Sequence, residues 1–224
     1  MSEQWKLIQR WAGVADDGVP GPATAAAIIA KAGIADDRAA SVVRDALAFY
    51  GGVRQITGPL DQVQVDSINR ILAKAAHHPI GWVAYELATA WHEARFKPQA
   101  EWGLGKGRPY AQSGKYGQPQ YGRGFVQLTW DRNYEWADRA LGLDGALLKN
   151  FDLALQPDIA ASILVRGMED GAFTGKSLSD YVSERGTPAE WVQARRIVNG
   201  TDKAQLIAVY AERFRDALDA GQWG

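Results

Sequence analysis

The chain contains no cysteine. Disulfides and thiolate zinc sites are therefore excluded, and folding is independent of the redox compartment. Long apolar runs are also missing. No segment approaches the roughly 20 apolar residues that a membrane-spanning helix needs. Met1-Ser2-Glu3-Gln4-Trp5 has neither the basic stretch nor the apolar run of a secretory leader, so no signal peptide is expected. Net charge is close to zero, formally -1, which gives no electrostatic reason to expect nucleic acid. Histidine is scarce. His77 and His78 precede Pro79 and are expected in a surface turn, and no HExxH spacing is present. No metal ligand set and no cofactor site are therefore expected. No glycine loop ending in GK[ST] is present to cradle a phosphate.

What is present is ordinary globular material, with 46% hydrophobic and 23% charged residues over 224 positions. That length holds one substantial core, or one core and a small module. Nine tryptophans and eight tyrosines are a heavy aromatic load. Core packing accounts for most of them. Tyr110, Tyr116 and Tyr121 instead lie where no apolar period runs, and are candidates for stacking on sugar rings.

Helical spacing begins at residues 4–12 with Trp5, Ile8 and Ala12. Asp17-Gly18-Val19-Pro20-Gly21-Pro22 is turn chemistry. A second helix is predicted over 22–32, stopped at Gly33. A third is predicted over 37–50, ended by Gly51-Gly52. Residues 51–59, with Gly58-Pro59, read as a linker. A patterned helix is predicted over 60–76, and Pro79 opens another that ends near Glu93. Residues 96–124 form a long glycine-rich loop, of the kind that is usually functional or disordered. A short strand is predicted over 125–130, with Asp131 capping the next helix. Pro157 starts an apolar helix, expected to be the central one. Thr187-Pro188-Ala189-Glu190 reads as a capping box, and a last helix carries Ile207, Tyr210, Ala211, Phe214 and Leu218. The whole is mainly α.

Two carboxylates stand out. Glu93 falls at a helix C-terminus, whose partial negative charge opposes ionisation, as does burial against Trp91. A general acid needs that setting; the plain alternative is a surface ion pair with Arg95 or Lys97. Glu101 comes eight residues later beside Lys106 and Arg108, cations that favour an ionised base, or else is a solvated loop charge. An acid and a base near one aromatic, polar loop are what glycoside hydrolysis requires.

Two resemblances sharpen this reading. Leu7-Ile8-Gln9-Arg10 with Asp17-Gly18-Val19-Pro20-Gly21-Pro22-Ala23-Thr24 resembles the peptidoglycan-binding domain of wall hydrolases. Ala88-Thr89-Ala90-Trp91-His92-Glu93, Gly105-Lys106-Gly107-Arg108-Pro109-Tyr110, Tyr121-Gly122-Arg123-Gly124-Phe125-Val126-Gln127-Leu128-Thr129-Trp130 and Ile197-Val198-Asn199-Gly200 resemble glycoside hydrolase family 19, and within it the phage-type endolysins. The second resemblance covers residues 60–218. It implies a lysozyme-like α-helical catalytic domain at 60–224; the first implies a small three-helix binding module at 1–50, with the linker at 51–59, or else with residues 37–50 joined to the linker. The second also implies Glu93 as acid, Glu101 as base, and Thr129 positioning the attacking water. Gln127, Asn133 and Asn199 would hold sugar, and Tyr121 and Arg123 would shape the cleft. His92 and Tyr110 join the substrate-binding candidates.

The chain departs from the plant chitinases of that family. Their cysteines are absent, several loops look missing, and Ala-Arg comes after the HE pair. Lys106, Arg108, Lys115 and Arg123 gather around the proposed cleft, which favours an anionic polymer, peptidoglycan, over neutral chitin. The expectation is a monomeric endolysin without a cofactor. It would cleave between N-acetylmuramic acid and N-acetylglucosamine, act after holin-type release from a host cytoplasm, and insert into no membrane. A lytic transglycosylase, a chitinase and a non-catalytic wall-binding protein remain alternatives.

Overall fold

A computed structural model describes Lys6 and residues 42–224. The chain divides into two compact units, Met1–Ser41 and Val42–Gly224, and the second holds the catalytic candidates. The expected binding module lies outside the described residues except for Lys6 and residues 42–50. The second unit closes on itself: the Gly224 amide donates to the Val42 carbonyl at 3.0 Å, and the Asp45 amide to the Gly221 carbonyl at 3.0 Å.

Among the described residues there are eight α-helices and one two-stranded sheet. They are α1 (Ala46–Thr57), α2 (Gln62–Lys74), α3 (Ile80–Ala94), α4 (Asp131–Ala140), α5 (Ala146–Lys149), α6 (Pro157–Glu169), α7 (Pro188–Ala194) and α8 (Ala204–Ala220). The strands are β1 (Gln99–Ala100) and β2 (Arg123–Gly124), paired antiparallel. The expectation of a mainly α, lysozyme-like fold holds. No helix among the described residues is long and apolar enough to cross a membrane.

Helix α1 differs from expectation. Asp45 caps it by accepting from the Ala48 amide at 2.9 Å, and it runs through Gly51-Gly52 to Gly58. The glycines do not end the helix; they let it approach its neighbour. A Cβ on Gly52 would stand 2.8 Å from the Ala217 Cβ on α8. Most of the segment expected as linker, 51–59, is thus helix packed into the second unit.

Helix α2 starts where its sequence says. Asp61 and Gln64 form a complete capping box, each side chain bonded to the other's backbone amide. Thr187 caps α7 from its side chain at 3.3 Å, with Pro188 in the first turn. Glu190 turns instead to the Ser183 hydroxyl at 2.9 Å, so that box is half made.

The central helix is α3, not α6. Residues 83–90 of α3 are all buried, which occurs only when neighbours pack on every side. Helix α8 packs along α3 and also meets α1 and α7, while α2 packs on α6. Sequence periodicity gives α3 a single buried face, Ile80, Val83, Ala84, Leu87, Ala88 and Trp91, and so points to apolar α6 as the centre. The structure buries Tyr85, Glu86, Thr89 and Ala90 on its other sides as well. Residues 125–130 are not a strand either. They form a turn in which Arg123 and Leu128 bridge, and Asp131 is the first helical residue, not the cap.

Candidate active site

Helix α3 delivers His92 and Glu93 at its last turn and then breaks sharply. Arg95 and Phe96 both take left-handed backbone angles, φ 52° and 57°. The Arg95 amide donates to the Trp91 carbonyl and the Phe96 amide to the Ala90 carbonyl, so the helix end is closed by backbone alone. Left-handed backbone costs a non-glycine residue roughly 1–2 kcal/mol. Phe96 offsets this by burying its ring between Trp91 and Phe214, at centroid distances of 5.6 and 5.8 Å. Five of the eight non-glycine residues with positive φ among the described residues are Arg95, Phe96, Leu104, Gln127 and Trp130. Backbone strain is therefore concentrated around the candidate residues, as it is at many functional sites.

The partner of Glu93 is neither Arg95 nor Lys97. Arg95 lies over the Trp91 ring at 4.5 Å, and Lys97 pairs with Asp61 at 2.5 Å. Glu93 Oε1 instead accepts from Arg195 Nη1 at 2.7 Å. The Arg195 side chain is only 2% exposed, and that of Glu93 18%. Arg195 is itself held, donating from Nε to the Asp202 carbonyl at 2.9 Å, while its own carbonyl accepts from the Asn199 amide at 2.9 Å. The Asn199 side chain is exposed on the same segment. Oε2 of Glu93 makes no hydrogen bond among the described residues. His92, beside it, has a buried Nδ1 without a hydrogen-bond partner. Burial holds its imidazole below the ordinary value, against the pull of Glu93.

Glu101 is held by the loop, not by cations. Tyr110 donates its hydroxyl to Oε1 at 2.9 Å, and the Gly122 amide donates to Oε2 at 3.3 Å. The Glu101 amide donates in turn to the Gly122 carbonyl at 2.7 Å. Burial and the neighbouring carboxylate both hold the Tyr110 hydroxyl above its ordinary value, so it stays a donor. Gly122 lies against Gln127: a Cβ there would stand 2.8 Å from its Oε1 and 3.0 Å from its Cβ, so Gln127 would have to shift.

Gln127 donates to the Gln99 carbonyl at 3.1 Å and the Gly124 carbonyl at 3.2 Å, which ties the turn to both strands. Thr129 donates to the Gln127 carbonyl at 2.9 Å. Its hydroxyl proton is spent, and its lone pairs remain to accept from a water.

Three candidates have other positions than expected. Arg123 is 3% exposed and fully engaged. It bonds Asp152 at 2.7 Å, the carbonyls of Pro119 and Tyr121, and the Tyr134 hydroxyl, with its guanidinium 3.7 Å from the Tyr121 ring centroid. It pins the loop from beneath and offers no charge to a cleft. Asn133 is buried and donates to the Thr129 carbonyl at 2.7 Å, bracing the turn. Tyr116 packs on Phe151 and donates to Glu135, to which Lys115 is also paired. Of the four cations expected around the cleft, Lys106 and Arg108 remain exposed with no ion pair among the described residues.

Sequence reading misses three residues. Arg195 lies 102 positions from its partner. Trp102 is 97% exposed and Trp130 40%, beside Glu101 and Thr129 in sequence. Trp130 meets Tyr110 edge to face at 5.7 Å and, with Gln120 and Arg132, lines a cavity of about 400 Å³. A larger cavity, about 630 Å³, lies between α1 and α8 and includes no candidate residue, so volume does not mark the chemistry. His78 is also not in a surface turn: its side chain is 2% exposed, packed against buried Glu86.

No family model and no curated protein matches this chain. Solved structures do. A bacterial family 19 chitinase superposes with a TM-score of 0.50 at 21% identity, over 79% of this chain and 95% of that one. A glutamate-to-glutamine mutant of chitinase C gives 0.50 at 20% identity, over 78% and 92%. The fold is that of family 19 chitinases. At such identity the likeness concerns fold, and the chemistry rests on the side chains described above.

Proposed function

We propose that this chain is a glycoside hydrolase acting on peptidoglycan, with Glu93 as general acid and Glu101 as base. The observation that carries it is the asymmetry of the two carboxylates. Glu93 leaves a rigid, buried helix with one oxygen fixed by buried Arg195 and the other open. Glu101 sits in a loop where Tyr110 and the Gly122 amide orient it. Acid and base catalysis needs two carboxyls so differentiated, and the chitinase-like fold supports the reading. Thr129, its donor spent, would hold the attacking water, as an inverting reaction needs. Exposed Trp102 and Trp130 offer faces for sugar rings, and unpaired Lys106 and Arg108 suit a polymer carrying peptide carboxylates.

The role is that of an endolysin: a monomer, released to the wall through a holin-type route, with the N-terminal unit, residues 1–41, binding the same polymer. Mass spectrometry of digested sacculi tests this. Muropeptides with reducing N-acetylmuramic acid are expected, and Glu93→Gln should abolish them. Anhydro-muropeptides, retained in Glu101→Gln, would instead identify a lytic transglycosylase. The likeness to chitinases favours a second reading, a chitinase. Release of chitin oligomers at a rate comparable to muropeptides would establish it.

A further inference from the structure

At the far end of α3 from Glu93 stands a second group of titratable side chains that glycan cleavage does not use. The turn between α2 and α3 carries two of the three histidines. His78 Nδ1 lies 2.8 Å from Oε1 of Glu86, a fully buried residue in the second turn of α3. His78 Nε2 is buried and has no hydrogen-bond partner. Glu169, the last residue of α6, places Oε2 3.5 Å from that nitrogen and 3.6 Å from Nε2 of His77. The ligand-capable atoms of His77, His78 and Glu169 all lie within 4.8 Å of one another.

Two imidazoles and one carboxylate around a common point are the donor set of a tetrahedral zinc centre with one open position. With metal–ligand bonds of about 2.0–2.2 Å, tetrahedral donors stand roughly 3.3–3.6 Å apart. Two of the three separations, 3.5 and 3.6 Å, match this, and the third, between the two histidines, lies within 4.8 Å. A buried imidazole nitrogen without a partner calls for something to fill it. The carboxylate behind His78 sharpens the case. Glu86 on Nδ1 fixes the tautomer that points the Nε2 lone pair at Glu169, the carboxylate–histidine–metal arrangement of known centres. The cluster opens on a cavity of about 450 Å³ lined by His77, Glu169, Lys74, Ser162 and Arg166, so a water can reach the fourth position.

We propose that His77, His78 and Glu169 bind a divalent transition-metal ion of the zinc class, with Glu86 positioning His78. The ion ties the C-terminus of α6 to the entry of α3. Its role is to hold the fold, separate from the glycan site and independent of that site's assignment.

Calorimetric titration of tag-free protein with Zn²⁺ alone, with melting curves in Zn²⁺ and in EDTA, tests this. One equivalent should bind, and zinc should raise the melting temperature. Co²⁺ in its place should give the visible bands of a tetrahedral ion. His77→Gln and Glu169→Gln should each weaken zinc binding at least tenfold. Their side chains are 61% and 39% exposed, so these variants fold whatever the outcome. Glu86→Gln should weaken it ~10–100-fold. A wild-type protein that takes up no zinc would overturn the proposal, leaving a protonated His78 bridging Glu86 and Glu169. So would binding that both surface variants leave unchanged.

Discussion

Glu86 and Glu93 stand seven residues apart on α3, two turns along and on nearly the same face. Their surroundings make them different groups. Glu86 is enclosed, and burial pushes its carboxyl above the ordinary range, although His78 pulls the other way. Glu93 meets a buried guanidinium from one side and is open on the other. One helix thus presents the same side chain to a closed polar cluster and to a partly open edge. The difference arises where α3 ends: the left-handed residues Arg95 and Phe96 break the helix, and Trp91, His92 and Glu93 in its last turn are only partly buried. A glutamate on a helix face is therefore uninformative until its neighbours are known.

The contrast is broken most directly by exchanging each glutamate for glutamine. Glu93→Gln should lower wall-clearing activity by about 10²–10⁴-fold, the usual share of a general acid, while Glu86→Gln keeps most of it. Turbidity assays corrected for folded fraction check this, and equal losses would erase the distinction. Next in size is the ion pair itself. Arg195→Met leaves Glu93 facing the space of a buried cation and should cost about 3 kcal/mol, read from the urea midpoint. A variant as stable as the parent would mean that the pair is solvated like a surface one.

Smaller effects sharpen the picture of the open end. Trp102→Ala should weaken binding to sacculi several-fold and change stability by less than about 0.5 kcal/mol, because the side chain is almost wholly exposed. Pull-down and thermal melting separate the two. The smallest effect concerns His92. Burial sets its folded value below the unfolded one, about 6.5. Above that pH both states are neutral and the contribution to stability is fully present. As pH falls through the depressed folded value, the unfolded chain has taken the proton first and that stability is lost. His92→Gln should flatten this acid-side slope in urea melts, and an unchanged slope would place the sensitivity elsewhere.

Much of the scaffold was legible from local chemistry. The Asp61–Gln64 box, Pro79, Pro157 and Thr187-Pro188 mark helix starts that the structure keeps. The candidate loop was legible as a loop, and Glu93 as a helix end. Gly51-Gly52 misled, because a glycine that ends a helix and one that lets two helices touch look alike in one sequence. Arg123 misled because a basic residue in a polar loop reads as exposed, whereas Tyr121, Tyr134 and Asp152 enclose it.

By itself the sequence determined the mainly helical class and several helix starts, and it singled out Glu93 and Glu101 as candidates. These rest on capping, periodicity and turn preferences, which act over a few residues. Tertiary structure alone decided which charges are buried. It brought Arg195 to Glu93 across 102 residues, Glu169 to His78, and Gly122 to Glu101. Burial is a property of everything packed around a group, and no local pattern encodes it.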